Sequence, residues 1–108
     1  MRELYELIEK FNKRAKENEK LKRNLEGLER KILINFSDDG SYSFILKEAQ
    51  VLEYKEKMEK PDITVNISTE IFHEILNKKL DVLSAYITKK FTVKASLSDK
   101  LLISELMK

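Results

Sequence analysis

The chain has 108 residues, 42% of them apolar and 37% charged, with a net charge of +2 and no cysteine. That length fits one domain with one core. The composition excludes disulfides, cysteine-ligated zinc and thiol nucleophiles, and no apolar run approaches the ~18–20 residues of a membrane span.

Two glycines and one proline among many charges of both signs predict a well-solvated fold with short loops. Met1 to Lys10 alternates charged and apolar residues without a signal-peptide core. A cytoplasmic location is therefore the default expectation, and the sequons at Asn35 and Asn66 are read as chance matches. Residues 1–31 hold ten Lys or Arg against seven Glu. The glutamates interrupt every basic stripe, so this segment reads as a solvated helix face and not as a nucleic-acid surface.

In residues 2–30, Leu4, Leu7, Ile8, Phe11, Ala15, Leu21, Leu25 and Leu28 recur at three- and four-residue steps and share a helix face. Asn18 and Glu19 break the stripe, which predicts one helix to about Asn18 and then a turn or a second helical piece. After Lys31 the period falls to two. Ile32, Ile34 and Phe36 form a strand that Asp39-Gly40 turns into a hairpin, followed by Tyr42, Phe44 and Leu46. A second turn near residues 47–50 leads to Val51 and completes a three-stranded meander, covered on one face and wet on the other. Residues 55–60 are a charged loop closed by Pro61.

Ile63, Val65 and Ile67 mark a fourth strand. Ser68 caps a helix over residues 69–77 with Glu70 in its first turn, and Asp81 caps a shorter one over 82–88. Residues 91–94 are a fifth strand. Ser96 and Asp99 approximate a capping box before a closing helix over 97–107. Grouped strands and helices, without strict alternation, indicate α+β architecture with helices on one sheet face. No linker divides the chain, so residues 1–108 read as one domain: a helical segment over 1–30, then the sheet and its covering helices.

From Ile32 onward the sequence resembles the sterol carrier protein family of small lipid-transfer domains. Three segments carry the likeness. One is the Asp-Gly hairpin with its aromatic second strand, Tyr42 to Lys47. The second is Pro61 to Ser68 followed by Glu70 and Phe72. The third is Lys78-Lys79-Leu80-Asp81, then Ala85 to Lys94. The resemblance implies a five-stranded, mostly antiparallel sheet with helices over one face, and between the layers a tunnel for fatty acyl chains, acyl-CoA, isoprenoids or sterols. The family places glycine where this chain has Lys78, Lys89 and Ala95. Those turns are then built differently here, or lysine takes a costly left-handed conformation.

Candidates for chemistry are few. His73 is the only histidine and reads as an exposed helix residue; without a second His or a Cys it has no partners for catalysis or for a metal. General acid–base work needs carboxylates in a water-poor cleft, and the acid pairs Asp38-Asp39, Glu53/Glu56 and Glu70/Glu74 fall in turns or on wet faces. Asp38-Asp39-Gly40 lacks the spaced oxygens of a calcium loop, and no phosphate-binding glycine pattern exists. No catalytic residue, metal or cofactor is expected.

The closing helix carries Leu101-Leu102-Ile103 in a row, wider than one packing stripe. Its surplus apolar side must meet a ligand, a partner chain or the first helix. The candidate lipid contacts are Phe72, Leu76, Leu83, Tyr86, Ile87, Leu101, Leu102 and Leu106. Lys78-Lys79 and Lys89-Lys90 bracket the short helix, either solvated or gathering an anionic head group or membrane surface. The expected function is non-catalytic binding and transfer of an apolar lipid-like ligand. The alternative is a protein-interaction or accessory domain with the same fold and a filled core. The expected partners are an apolar lipid or acyl ligand, a weakly held anionic membrane surface and, on the alternative reading, a second copy of the chain. Nucleic acid is not among them.

Overall fold

The computed structural model describes residues 1–108. Helix α1 spans Arg2–Glu17 and helix α2 Glu19–Leu25. The break falls at Asn18, as its polar interruption of the stripe predicts. Its backbone is extended, and its side-chain oxygen accepts from the Leu21 N–H at 3.0 Å. One residue thus ends α1 and caps α2. Gly27, at φ +79°, then leads the chain out of α2 in the left-handed region.

Strands β1 (Arg30–Phe36), β2 (Gly40–Lys47) and β3 (Gln50–Glu53) form the meander, and β4 (Ile63–Ile67) and β5 (Thr92–Lys94) complete the sheet in the order β3-β2-β1-β4-β5. Four neighbouring strand pairs make this sheet, and only β1–β4 is parallel. Helices α3 (Thr69–Leu76) and α4 (Val82–Ile87) connect β4 to β5, and α5 (Leu97–Leu106) closes the chain.

Period-two alternation puts Ile32, Ile34, Phe36, Phe44, Leu46, Val51, Ile63, Val65, Ile67 and Val93 on one buried face. There they meet Leu4, Leu7, Ile8 and Phe11 of α1, Phe72 and Ile75 of α3, and Ile103 and Leu106 of α5 in one apolar cluster. The other sheet face carries polar contacts between neighbouring strands: Asn35 donates to Asn66 at 3.0 Å, and Asn66 to Thr92 at 3.4 Å. The edge strand β3 is not left open. The Asn12 side chain of α1 donates to the Val51 carbonyl at 2.9 Å and accepts from the Val51 N–H at 2.7 Å, as a neighbouring strand would.

The turns show where the chain departs from simple rules. Asp39-Gly40 does not form a two-residue turn. Phe36 pairs with Gly40 across a three-residue loop, the Asp39 N–H donates to the Phe36 carbonyl, and Gly40 takes φ +99°. The Asp39 N–H bond closes the turn, and the left-handed Gly40 leads the chain into β2. At the next turn Glu48 and Ala49 are both left-handed, at φ 52° and 60°, with neither Gly nor Asn to ease them.

Helix caps follow the sequence closely. Ser68, Asp81 and Ser96 each accept from the N–H three residues on. The capping box at Ser96 is only half formed: the Asp99 N–H donates to Ser96, but the Asp99 carboxylate turns away to Arg30. Charge pairing with a guanidinium outweighs a bond to a backbone donor.

Helices α3 and α4 end alike. Lys78 donates to the Ile75 carbonyl and Lys79 to Glu74; Lys89 donates to Tyr86 and Lys90 to Ala85. These are paired Schellman bonds, whose first residue past the cap must be left-handed. Lys78 and Lys89 occupy those positions at φ 58° and 59°. Of the three glycine replacements, two therefore take the costly left-handed conformation, while Ala95 does not.

Asp38, in the first hairpin loop, accepts from the hydroxyl and backbone N–H of Thr69 at the start of α3. Those bonds hold its carboxyl below the usual carboxylate range.

Two predictions follow from these contacts. Lys78→Gly and Lys89→Gly relieve left-handed strain, so each raises stability by about 1 kcal/mol in urea unfolding; no gain at either site contradicts the strain. Because the pKa of Asp38 is depressed in the fold, its contribution is complete above the unfolded carboxylate pKa and disappears as pH falls through the folded one. Urea midpoints measured from neutral pH down to about pH 3 should fall more steeply for the parent than for Asp38→Asn, and equal slopes count against the loop–helix bond.

Candidate functional site

Helix α5 has more apolar surface than its packing uses. Ile103 and Leu106 are buried against the core and Leu102 is half-buried, while Leu97 and Leu101 stand 76% and 66% exposed. A helix that is apolar on several sides has no unique rotation set by hydrophobicity alone. Two arginines supply the missing constraint. The Arg30 Nε lies 3.0 Å from both carboxylate oxygens of Asp99 in the first turn of α5. In its last turn, Arg14 donates to the Glu105 carboxylate at 3.0 Å and to the Glu105 carbonyl at 2.8 Å, an acceptor that otherwise has only the longer 3.4 Å bond from the Lys108 N–H. Asp99 is the only buried charged residue of the chain, and no buried side-chain polar atom lacks a partner.

Between these clasps runs an open groove of about 520 Å³, with α2 on one side and α5 on the other. Leu21, Leu25 and Leu28 line it from the α2 side, and Leu101 and Leu102 from α5. Polar groups stand among them: Asn18, Lys20, Asn24, Arg30, Ser98, Asp99 and Glu105. The volume lies within the ~300–1,000 Å³ of small-molecule sites, and the lining is mixed: five leucines and seven polar or charged residues.

The opposite end of the helix–sheet interface is closed by rings. Phe72 meets Phe36 edge-on at 5.2 Å, Phe36 meets Tyr42 at 5.8 Å, and Tyr5 meets Tyr42 at 6.2 Å and Phe44 at 5.8 Å. The Tyr42 hydroxyl donates to Asp39, and that bond pushes its pKa up. Burial, and then the charge of Glu53, push Tyr5 up as well. His73 sits half-buried at this end with its Nε2 3.8 Å from Glu3. His, Asp and Glu side chains nowhere gather in threes with metal-binding geometry.

The eight residues singled out from the sequence do not share one space. Phe72 and Leu106 belong to the core. Leu76, Tyr86 and Leu102 are half-buried, with Tyr86 edge-on to Phe91 at 5.9 Å. Leu83, Ile87 and Leu101 are exposed. Only Leu101 and Leu102 reach the groove. The α2 wall and the Arg30–Asp99 pair were missed as site residues. Leu21, Leu25 and Leu28 were visible as a helical stripe, but nothing in the sequence says that the stripe faces α5.

The chain matches the profile of the SCP-2 sterol transfer family over residues 8–107. No curated protein matches its sequence closely. Among solved structures, the ubiquinone synthesis protein UbiJ-SCP2 superposes with a TM-score of 0.69 at 13% identity, covering 97% of this chain and 95% of that one. The palmitated SCP2L2 of Aedes aegypti gives 0.64 at 20% identity, covering 94% and 90%. A part of the sec-alkylsulfatase Pisa1 from Pseudomonas sp. gives 0.61 at 16% identity over 78% of this chain, which spans only 14% of the length of that enzyme. These likenesses establish a shared fold.

The arginine clasps generate a direct test. Arg30→Met keeps the apolar stem but leaves Asp99 unpaired. With Arg30 30% and Asp99 11% exposed, solvent screening reduces the cost from that of a fully buried pair to about 1–2 kcal/mol. Amide exchange should quicken across α5 while α1 and α3 remain protected. Unchanged exchange in α5 would mean that the clasp does not hold the helix.

Proposed function

The chain belongs to the SCP-2 sterol transfer family, and from that premise we propose that it binds and hands over an apolar, lipid-like ligand without doing chemistry on it. Fatty acyl chains, acyl-CoA, isoprenoids and sterols are the ligand classes this reading puts forward. One observation carries the reading: the leucine-lined groove between α2 and α5, beside a helix whose apolar surface exceeds its packing needs. A ligand chain laid along Leu21, Leu25, Leu28, Leu101 and Leu102 gains about 0.8 kcal/mol per buried methylene, and needs no specific hydrogen bond to be held. Displacement of α5 from the sheet then extends the groove toward the inner face. We read residues 1–108 as one unit, because the buried cluster includes α1, all five strands and α5.

The interior between sheet and helices is packed with the protein's own side chains, and this favours a second reading. On that reading the groove is part of an interface in an accessory domain, and the exposed apolar helices pair with another chain.

Native mass spectrometry of delipidated protein with palmitate separates the two. The first reading expects a one-to-one adduct that Leu21→Glu and Leu28→Glu weaken about tenfold, the worth of one or two methylenes, without loss of folding at these half-buried sites. No adduct, together with a dimer by light scattering and no uptake of an apolar dye, would replace the carrier with the interaction module.

A further inference from the structure

Beside the groove, and meeting it at Leu101, α4 and α5 present a second apolar feature. Of the six residues of α4 only Ala85 is buried. Leu83 and Ile87, one helical turn apart, stand 58% and 68% exposed, so they share a face. Leu97 and Leu101 repeat that spacing on α5. The two helices are neighbours, since the Lys100 ammonium lies 5.5 Å from the centre of the Tyr86 ring. Four large aliphatic side chains on adjacent short helices are more than scattered surface residues.

Charge surrounds them on one side only. Residues 78–90 hold four lysines and one aspartate, a balance of +3 in a chain whose total is +2. Asp81 is occupied in capping α4. Lys78, Lys79, Lys89 and Lys90 are exposed and form no ion pair. The Schellman turns put Lys78 just past the end of α3 and Lys89 just past the end of α4, where glycine would be easier. Two of the four lysines, Lys78 and Lys89, are therefore held at backbone cost, in the segments that flank α4 and its exposed Leu83 and Ile87.

We propose that this surface docks the protein on an anionic lipid bilayer, with Leu83, Ile87 and Leu97 entering the head-group region and the four lysines meeting lipid phosphates and carboxylates. The exposed side chains are Leu and Ile; the Trp, Tyr and Arg anchors that dominate protein interfaces are missing from the exposed apolar set. Self-association by the same surface would set one +3 segment against another, which like-charge repulsion opposes. A bilayer accepts aliphatic side chains in any register and supplies the counter-charge. Leu101 borders both the groove and this face, and the variants below leave it and the groove residues Leu21, Leu25, Leu28 and Leu102 intact.

Flotation with vesicles of phosphatidylcholine alone, and of equal parts phosphatidylcholine and phosphatidylserine, tests this on the whole chain. The parent should bind the anionic vesicles and not the neutral ones, and high salt should release it. Changing the four lysines to Gln should lower partitioning on the order of a hundredfold, at a few-fold per lysine. Leu83→Ser with Ile87→Ser and Leu97→Ser should abolish insertion, seen as loss of amide protection in α4 on vesicles. These positions are exposed, so unchanged thermal unfolding verifies folding. Equal binding to both vesicle types, no binding to either, or binding unchanged in both variants overturns the proposal. A parent dimer that the serine variant dissociates, with no vesicle binding, would assign the surface to a second copy.

Discussion

Helix α5 is apolar on more sides than a sheet can cover, and its position therefore rests on charge. Hydrophobic burial is non-directional; with Leu97, Leu101, Leu102, Ile103 and Leu106 distributed around one short helix, burial alone permits several rotations. Arg30 at its start and Arg14 at its end choose one. The choice presses Ile103 and Leu106 into the core and turns Leu102 and Leu101 toward α2. The groove, the exposed face beside α4 and the free side of α5 are all consequences of that selection. Partly exposed ion pairs suit this role, because they give orientation at modest cost in stability.

The fold has a rigid end and an accommodating end. Rings in edge-to-face contact between α1, α3 and the sheet fill the space around Phe36, and their geometry resists displacement. Around α2 and α5 the apolar side chains of the groove are leucines, which repack more readily. A ligand that enters this molecule therefore meets the least resistance where the groove already stands, and the aromatic end serves as a fixed wall. Asn12 and Asp38 reinforce the fixed part, one by occupying the free edge of β3 and the other by tying the hairpin loop to α3.

The sequence made much of this legible because its signals were local. Asn18 broke a helical stripe and Ser68, Asp81 and Ser96 named three helix starts through hydrogen bonds spanning three residues. Alternation gave the inner sheet face residue by residue. What escaped were facts of tertiary geometry. The Asp99 carboxylate looked like half of a capping box until Arg30, 69 residues away, claimed it. Leu21, Leu25 and Leu28 read as a helix face with no stated partner. Phe72 and Leu106 look identical to groove residues in sequence, since a buried side chain and a ligand contact are both simply apolar. The left-handed lysines were foreseeable only as a question: a missing glycine shows that a turn is unusual, and only the backbone shows that lysine bears the strain.

The central claim concerns where an apolar guest lies. It is tested most directly by intermolecular NOEs between an isotope-labelled palmitate chain and the leucine methyl groups of the protein. The account predicts cross-peaks from the chain to Leu21, Leu25 and Leu102, with the protons of Phe36 and Phe72 silent. Cross-peaks confined to the aromatic end, or none at all with palmitate in excess, would contradict it.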